Sequence, residues 1–179
     1  MSKRLIIVTN SASNLISFRG QLIKELVDKN FQVLVIVPNN DYSKNFESDV
    51  LKLGAKTSAI PLDRAGLNPF RDFLTYLALK SSFKKFKPDI VLSYTSKPII
   101  YSGLAIGKNP KIKFFPNLTG LGYGFTEKSG LKRKLINFIL KKLYKLSLKF
   151  STTVIFQNPD DELLFNNLNI TKKKKKLFF

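Results

Sequence analysis

Short apolar runs alternate with longer amphipathic segments along most of this chain. Six of the runs have the length of strands, the run at 57–61 being the weakest of them. The first, at 4–9, is β-branched without alternation, as in a strand that is buried on both faces. In the segments between the runs, apolar residues recur every three or four positions, which is the period of a helix that packs along one side. The predicted strands are 4–9, 31–38, 57–61, 90–94, 112–115 and 152–156, and the predicted helices are 15–29, 42–53, 69–86, 99–106, 130–150 and 160–167.

This alternation predicts a single α/β domain with a doubly wound, mostly parallel, Rossmann-like sheet. In an open parallel sheet, the loops at the carboxyl ends of the strands form the ligand crevice. Polar or glycine-rich loops at 10–14, 93–98 and 117–125 each follow a predicted strand. We therefore expect these three loops to meet at one edge of the sheet and to form a binding site. Ordinary strand-to-helix turns have a similar composition, so the residues alone leave that alternative open.

The composition removes several classes of chemistry. Cysteine and histidine are both absent, which excludes thiol nucleophiles, disulfides, histidine bases and most zinc sites. The loop 10–14, N-S-A-S-N, lacks the glycines of a dinucleotide-binding fingerprint, which argues against NAD or FAD. No metal and no cofactor are expected. No apolar run approaches the roughly 18 residues that a membrane-spanning helix needs.

The chain is strongly basic. It contains 31 lysines and arginines and 12 acidic residues, which gives a formal net charge of +19. Such an excess favours an anionic partner, such as a membrane surface, a phosphorylated substrate or nucleic acid. A lysine-rich compositional bias on solvated faces is the alternative. The segment 130–150 holds seven cations and no acid, the pattern of a basic amphipathic surface helix, although a packing helix with a solvated lysine face reads similarly. Nucleic acid is disfavoured because no helix-turn-helix, RNP or zinc pattern is present.

Several loop motifs, taken in order, resemble those of glycosyltransferase family 4. They are S-F-R-G at 17–20, R-A-G-L-N-P-F at 64–70, S-Y-T-S-K-P-I-I-Y-S-G-L-A at 93–105, N-L-T-G-L-G-Y-G-F at 117–125 and F-Q-N-P-D-D at 156–161. Within the family, the chain is similar to bacterial enzymes that extend undecaprenyl-diphosphate-linked sugars and to O-antigen and capsule transferases. The resemblance runs from residue 4 to about residue 170.

The resemblance implies one half of a GT-B enzyme, in which two Rossmann-like domains face each other across a cleft. Residues 1–170 would be the N-terminal, acceptor-side domain, and no counterpart of the C-terminal, donor-binding domain is found. The implied reaction is a retaining transfer from a nucleotide-sugar to a polyprenyl-diphosphate-linked saccharide, in the synthesis of cell-surface polysaccharide or glycoprotein glycan. The implied location is cytoplasmic, peripheral at the inner face of the plasma membrane. The isolated chain is expected to be inactive, and the alternative is a basic, non-catalytic module that binds anionic membrane or nucleic acid.

The resemblance also assigns substrate-binding roles, near the diphosphate and the transferred sugar, but no catalytic residue and no metal ligand. Arg64 and Lys97 would be cationic contacts to phosphate or sugar, although Lys97 is otherwise read as an ordinary surface lysine. The full set is Asn10, Ser11, Ala12, Asn14, Arg19, Arg64, Thr95, Lys97, Thr119, Gly120, Gly122 and Tyr123.

The end of the chain departs from the family pattern. Residues 171–179 read Thr, five lysines and Leu-Phe-Phe, and a run of like charges is usually disordered. We expect a polybasic, disordered tail at the point where a frameshift or truncation separates this domain from a second one of about 150–200 residues. The alternative is a basic and apolar tail that anchors the protein to an anionic membrane.

Overall fold

The computed structural model of this chain describes residues 2–64, 66, 68–120, 131–171 and 176–178. Within them, seven parallel strands form one sheet in the order β3-β2-β1-β4-β5-β6-β7. The strands are β1 (Arg4–Val8), β2 (Gln32–Pro38), β3 (Lys56–Ile60), β4 (Ile90–Tyr94), β5 (Lys113–Leu118), β6 (Val154–Phe156) and β7 (Lys176–Phe178). The helices are α1 (Leu15–Asp28), α2 (Lys44–Lys52), α3 (Pro69–Phe86), α4 (Ser96–Ile106), α5 (Leu131–Leu148) and α6 (Pro159–Asn167).

The strand order confirms the predicted doubly wound, Rossmann-like α/β class. The chain winds outward from β1 to β3 on one side, returns, and winds outward again from β4 on the other. The order therefore reverses between β1 and β4, and in such sheets this switch point is where ligands bind.

Each face of the sheet has its own core, which explains why the strands show no alternation of polar and apolar residues. Ile6 and Val8 of β1 face the core that α3, α4, α5 and α6 cover, whereas Leu5 and Ile7 face the core beneath α1 and α2. A strand that is covered on both faces needs apolar residues at every position.

Local signals set most of the element ends. Asn68 caps α3, its Oδ1 accepting hydrogen bonds from the backbone N–H groups of Phe70 and Arg71. Ser43 caps α2 through the N–H of Phe46 at 3.1 Å, and the helix therefore begins at Lys44 rather than at the predicted residue 42. No helix within the described ranges is long and apolar enough to cross a bilayer.

The predicted loop 93–98 is shorter than expected. Ser93 and Tyr94 belong to β4, where they pair with Pro116 and Asn117 of β5. α4 then begins at Ser96, and Pro98 lies in its first turn, where a proline removes no helical hydrogen bond. One residue, Thr95, makes the whole connection.

Part of the segment predicted to be disordered is a strand. Lys176–Phe178 pairs in parallel with β6, with Ile155 opposite Leu177. The outer edge of β6 presents backbone N–H and C=O groups that need partners, and three residues of extended chain satisfy them. The four lysines at 172–175 lie outside the described residues, as do Gly122 and Tyr123 of the predicted glycine-rich loop.

Candidate functional site

A polar cleft of about 330 Å³ lies at the carboxyl ends of β1 and β4, at the switch point of the sheet. Its described walls come from the segment after β1, the start of α1, the β3–α3 connection and the ends of β4, β5 and β6. No carboxylate occurs among these described lining residues, whereas two arginines do. We call this the polar cleft; it is lined by Thr9, Asn10, Ser11, Asn14, Leu15, Phe18, Arg19, Arg64, Tyr94, Thr95, Thr119 and Gln157.

The segment after β1 is held in place by a carboxylate that lies outside the predicted site. The Oδ2 atom of Asp41 accepts hydrogen bonds from the backbone N–H of Ala12 at 2.5 Å and of Ser13 at 3.4 Å. Ala12 is buried and does not line the cleft. Because Asp41 occupies these two N–H groups, this turn presents the side chains of Asn10, Ser11 and Asn14 to a ligand rather than a free backbone cradle. Asp41 follows β2 and so lies at the same edge of the sheet as the turn after β1. The sheet-edge rule could therefore have predicted that Asp41 belongs to this region.

Arg19 is held across the switch point by an aromatic ring. Its guanidinium carbon lies 4.5 Å from the ring centroid of Tyr94, and its Nη1 donates to the carbonyl of Phe18 at 2.9 Å. Burial raises the pKa of the Tyr94 phenol, and the charge of Arg19 together with hydrogen bonds from Arg19 and Asn117 partly opposes that rise. The arginine is thus fixed on a neutral ring with its charge facing the cleft.

Thr95 has the most unusual backbone in the cleft. Its φ of 69° and ψ of 168° place a β-branched residue in a region that costs about 1–3 kcal/mol. Its Oγ1 is buried and has no hydrogen-bond partner in the described part of the chain. Thr95 also precedes α4, whose first N–H groups and dipole favour negative charge. An unpartnered hydroxyl, a helix N-terminus and two arginines together suit an anionic ligand that carries oxygen atoms.

Lys97 does not line the polar cleft. Its Nζ lies 2.7 Å from Asp72 Oδ1, and the two side chains are only 13% and 12% exposed. The Tyr101 phenol also bonds to Asp72, and burial, followed by the charge of Asp72, raises the pKa of Tyr101. The charge of Lys97 is therefore neutralised within the protein.

This ion pair belongs to a second concavity, of about 540 Å³, between α3, α4 and α5. Most of its wall is aliphatic or aromatic. We call it the apolar groove; it is lined by Pro69, Asp72, Phe73, Tyr76, Ser96, Lys97, Ile100, Tyr101, Leu104, Ile136, Ile139, Leu140 and Leu143.

The structure thus brings together most of the predicted binding residues. Asn10, Ser11, Asn14, Arg19, Arg64, Thr95 and Thr119 share the polar cleft, whereas Gly120, with a φ of 109°, follows Thr119 without lining it. Tyr94 and Gln157 complete the cleft although they were not predicted to bind. Both lie inside motifs that carry the family resemblance, so the signal was present but was not assigned to them.

Comparison with solved structures defines the class of protein. A glycosyltransferase from Rickettsia africae superposes with a TM-score of 0.61 at 19% identity, over 99% of this chain and 42% of that one. A UDP-N-acetylglucosamine 2-epimerase superposes with a TM-score of 0.62 at 16% identity, over 93% of this chain and 46% of that one. The fold is that of one half of a GT-B glycosyltransferase. Because an epimerase shares it, the fold alone leaves the reaction open.

The sequence narrows the class to a family. Residues 6–158 match the Glycosyl transferase 4-like family, and the chain belongs to it, which confirms the resemblance drawn from the loop motifs. A relative is the N,N'-diacetylbacillosaminyl-diphospho-undecaprenol alpha-1,3-N-acetylgalactosaminyltransferase of Campylobacter jejuni, 30% identical over 172 residues. The match covers 96% of this chain and 44% of the relative, so the chain spans less than half the length of that enzyme.

Proposed function

We propose that this chain is the acceptor-binding half of a retaining glycosyltransferase that extends a polyprenyl-diphosphate-linked saccharide. The observation that carries the proposal is the polar cleft at the switch point, with Arg19 and Arg64 in its wall and no described carboxylate. A diphosphate supplies the negative charge and the acceptor oxygens that such a wall binds. The Campylobacter relative, whose name states an acceptor linked through diphospho-undecaprenol, supports this substrate class.

In the proposed reaction, the acceptor hydroxyl attacks the anomeric carbon of the donor sugar. The new glycosidic C–O bond forms while the bond to the nucleotide diphosphate breaks, and the hydroxyl proton passes to that leaving group. No histidine or cysteine is available in this chain to act as a base. Its contribution is to hold the acceptor hydroxyl in place, which lowers the barrier through positioning.

Donor binding is assigned to a second domain that corresponds to the remaining length of the relative. Purified chain mixed with UDP-sugars and a polyprenyl-diphosphate-linked sugar is therefore expected to give no product. Product above the protein-free background would refute this division of labour. Retention itself is tested by adding a donor-binding half in trans and determining the anomeric configuration of the product by NMR.

Calorimetric titration with inorganic pyrophosphate tests the cleft directly. Replacing Arg19 or Arg64 with glutamine is expected to weaken binding about tenfold or more, because a charge-assisted hydrogen bond contributes about 1.5–3 kcal/mol. Arg71→Gln is the matched control, since Arg71 is an exposed arginine that pairs with Asp63 and does not line the cleft. An equal loss in all three variants would indicate diffuse charge attraction and would favour a basic, non-catalytic module.

We also propose that the protein works at the surface of an anionic membrane. α5 exposes Leu135, Phe138 and Leu146 beside Lys142 and Lys145, and each cation near such a surface contributes about 1 kcal/mol. Sedimentation with phosphatidylserine-containing vesicles should exceed sedimentation with phosphatidylcholine vesicles, and the difference should fall as salt is added. Equal binding to both would remove the electrostatic argument.

A further inference from the structure

Consecutive residues at the start of α4 line the polar cleft and the apolar groove. Thr95 lines the cleft, and the next two residues, Ser96 and Lys97, line the groove. In this parallel sheet the helices start at the carboxyl edge, so the groove continues away from that edge along α4 as far as Leu104. This distance is about 12 Å at 1.5 Å per helical residue. The two concavities are therefore neighbours at the start of α4, the cleft polar and the groove mostly apolar.

The polarity of the groove changes along α4. The end of the groove nearest the carboxyl edge of the sheet contains the Lys97–Asp72 ion pair, which presents no uncompensated charge to an occupant. Farther from that edge, the walls are formed by Ile100, Leu104 and Leu143. A volume of about 540 Å³ lies in the range of small-molecule sites, about 300–1,000 Å³. Walls of this kind favour hydrocarbon, because burying hydrocarbon removes apolar surface of both partners from water.

The surroundings of the groove favour an occupant with a negative head group. α5 forms one wall of the groove. Among its lysines, Lys134, Lys142 and Lys145 are exposed, and the helix contains no acidic residue. Arg19 and Arg64 line the neighbouring polar cleft. An amphiphile with an anionic head and a hydrocarbon tail matches both the charge and the grading.

We infer that the apolar groove binds the first isoprene units of a polyprenyl diphosphate whose diphosphate lies in the polar cleft. This inference rests on the proposed function, because it takes the lipid-linked acceptor as the ligand, and it adds a binding site for the hydrocarbon chain. Contacts at both ends would select a lipid-linked acceptor over a free sugar diphosphate.

The test is a calorimetric titration of the 179-residue chain with pyrophosphate, geranyl diphosphate and farnesyl diphosphate at one ionic strength. Affinity is expected to rise with chain length, so that farnesyl diphosphate binds about tenfold or more tightly than pyrophosphate. Its heat-capacity change should be more negative, which is the mark of apolar burial. Pyrophosphate binding with no gain from the hydrocarbon would overturn this inference and leave the proposed function standing. Failure of pyrophosphate to bind would overturn both.

A matched pair of variants on α5 locates the hydrocarbon. Ile139 lines the groove and Leu146 does not, yet they are 45% and 52% exposed, so glutamate is tolerated at either position. Ile139→Glu should abolish the gain from chain length, Leu146→Glu should preserve it, and neither should change pyrophosphate binding. If both variants lower binding to phosphatidylserine vesicles equally and neither lowers farnesyl diphosphate affinity, this surface faces a bilayer and the inference is refuted.

Discussion

Replacing Lys97 with methionine is expected to destabilise the fold strongly, because it would leave the charge of the buried Asp72 carboxylate without a counter-ion. The two charged atoms lie 2.7 Å apart, and their side chains are 13% and 12% exposed. Removing one partner of a buried pair costs about 3–5 kcal/mol. A total stability of about 5–15 kcal/mol is usual for a domain, so the expected loss is a large fraction of the whole.

A second ion pair in the same region supplies the control. Arg71 and Asp63 also lie 2.7 Å apart, but their side chains are 62% and 28% exposed. Such a pair contributes about 0–1 kcal/mol, so Arg71→Met should have little effect. The two substitutions remove cations at the same distance from a carboxylate and differ chiefly in burial.

The assay is urea denaturation followed by far-UV circular dichroism for Lys97→Met, Asp72→Asn, the double variant and Arg71→Met. The double variant should be more stable than Lys97→Met, because no unpaired charge then remains. The four stabilities of the double-mutant cycle (wild type, the two single variants and the double variant) give the interaction energy between Lys97 and Asp72. If Lys97→Met lowers the free energy of unfolding no more than Arg71→Met does, the Lys97–Asp72 pair is not desolvated as described. Lys97 would then be available to bind phosphate, as its motif predicts.

Three further predictions concern packing, pH and backbone strain. A Cβ at position 103 would lie 2.6 Å from the carbonyl oxygen of Ser147, so Gly103→Ala should cost about 1–3 kcal/mol in thermal denaturation. Gly20→Ala, whose nearest new contact is 3.6 Å away, should be neutral or stabilising. Burial and the neighbouring acid raise the pKa of Asp161, so its folded-state proton is held more tightly and stability falls as pH rises through that raised pKa. Asp161→Asn should therefore stabilise the protein at neutral pH, and this advantage should disappear below the ordinary pKa of a carboxyl group. Equal effects at neutral and at acidic pH would contradict this. Thr95→Gly should relieve strain and stabilise by about 1 kcal/mol while weakening pyrophosphate binding; unchanged binding would remove Thr95 from the site.

The pattern of apolar residues determined the fold class by itself. A strand covered on both faces shows a continuous apolar run, and a helix on a sheet shows one apolar stripe, so both could be read locally. The sheet-edge rule then placed residues 10–14, Thr95 and Thr119 together, although they are far apart in sequence. The ends of some elements could not be predicted because they depend on an unusual backbone conformation. At Thr95, for example, no local sequence pattern indicates a positive φ.

Tertiary structure alone decided which polar groups are free and which are already bound. The motif around Lys97 predicts a contact to phosphate, yet packing of α3 against α4 makes Lys97 and Asp72 one buried pair. Likewise, the sequence predicts a binding loop after β1, but not that Asp41, 29 residues from Ala12, accepts a hydrogen bond from its backbone N–H. Long-range partners and the space between helices, including the apolar groove, arise from how elements pack. Each residue type is compatible with several such arrangements, so the sequence pattern does not specify them.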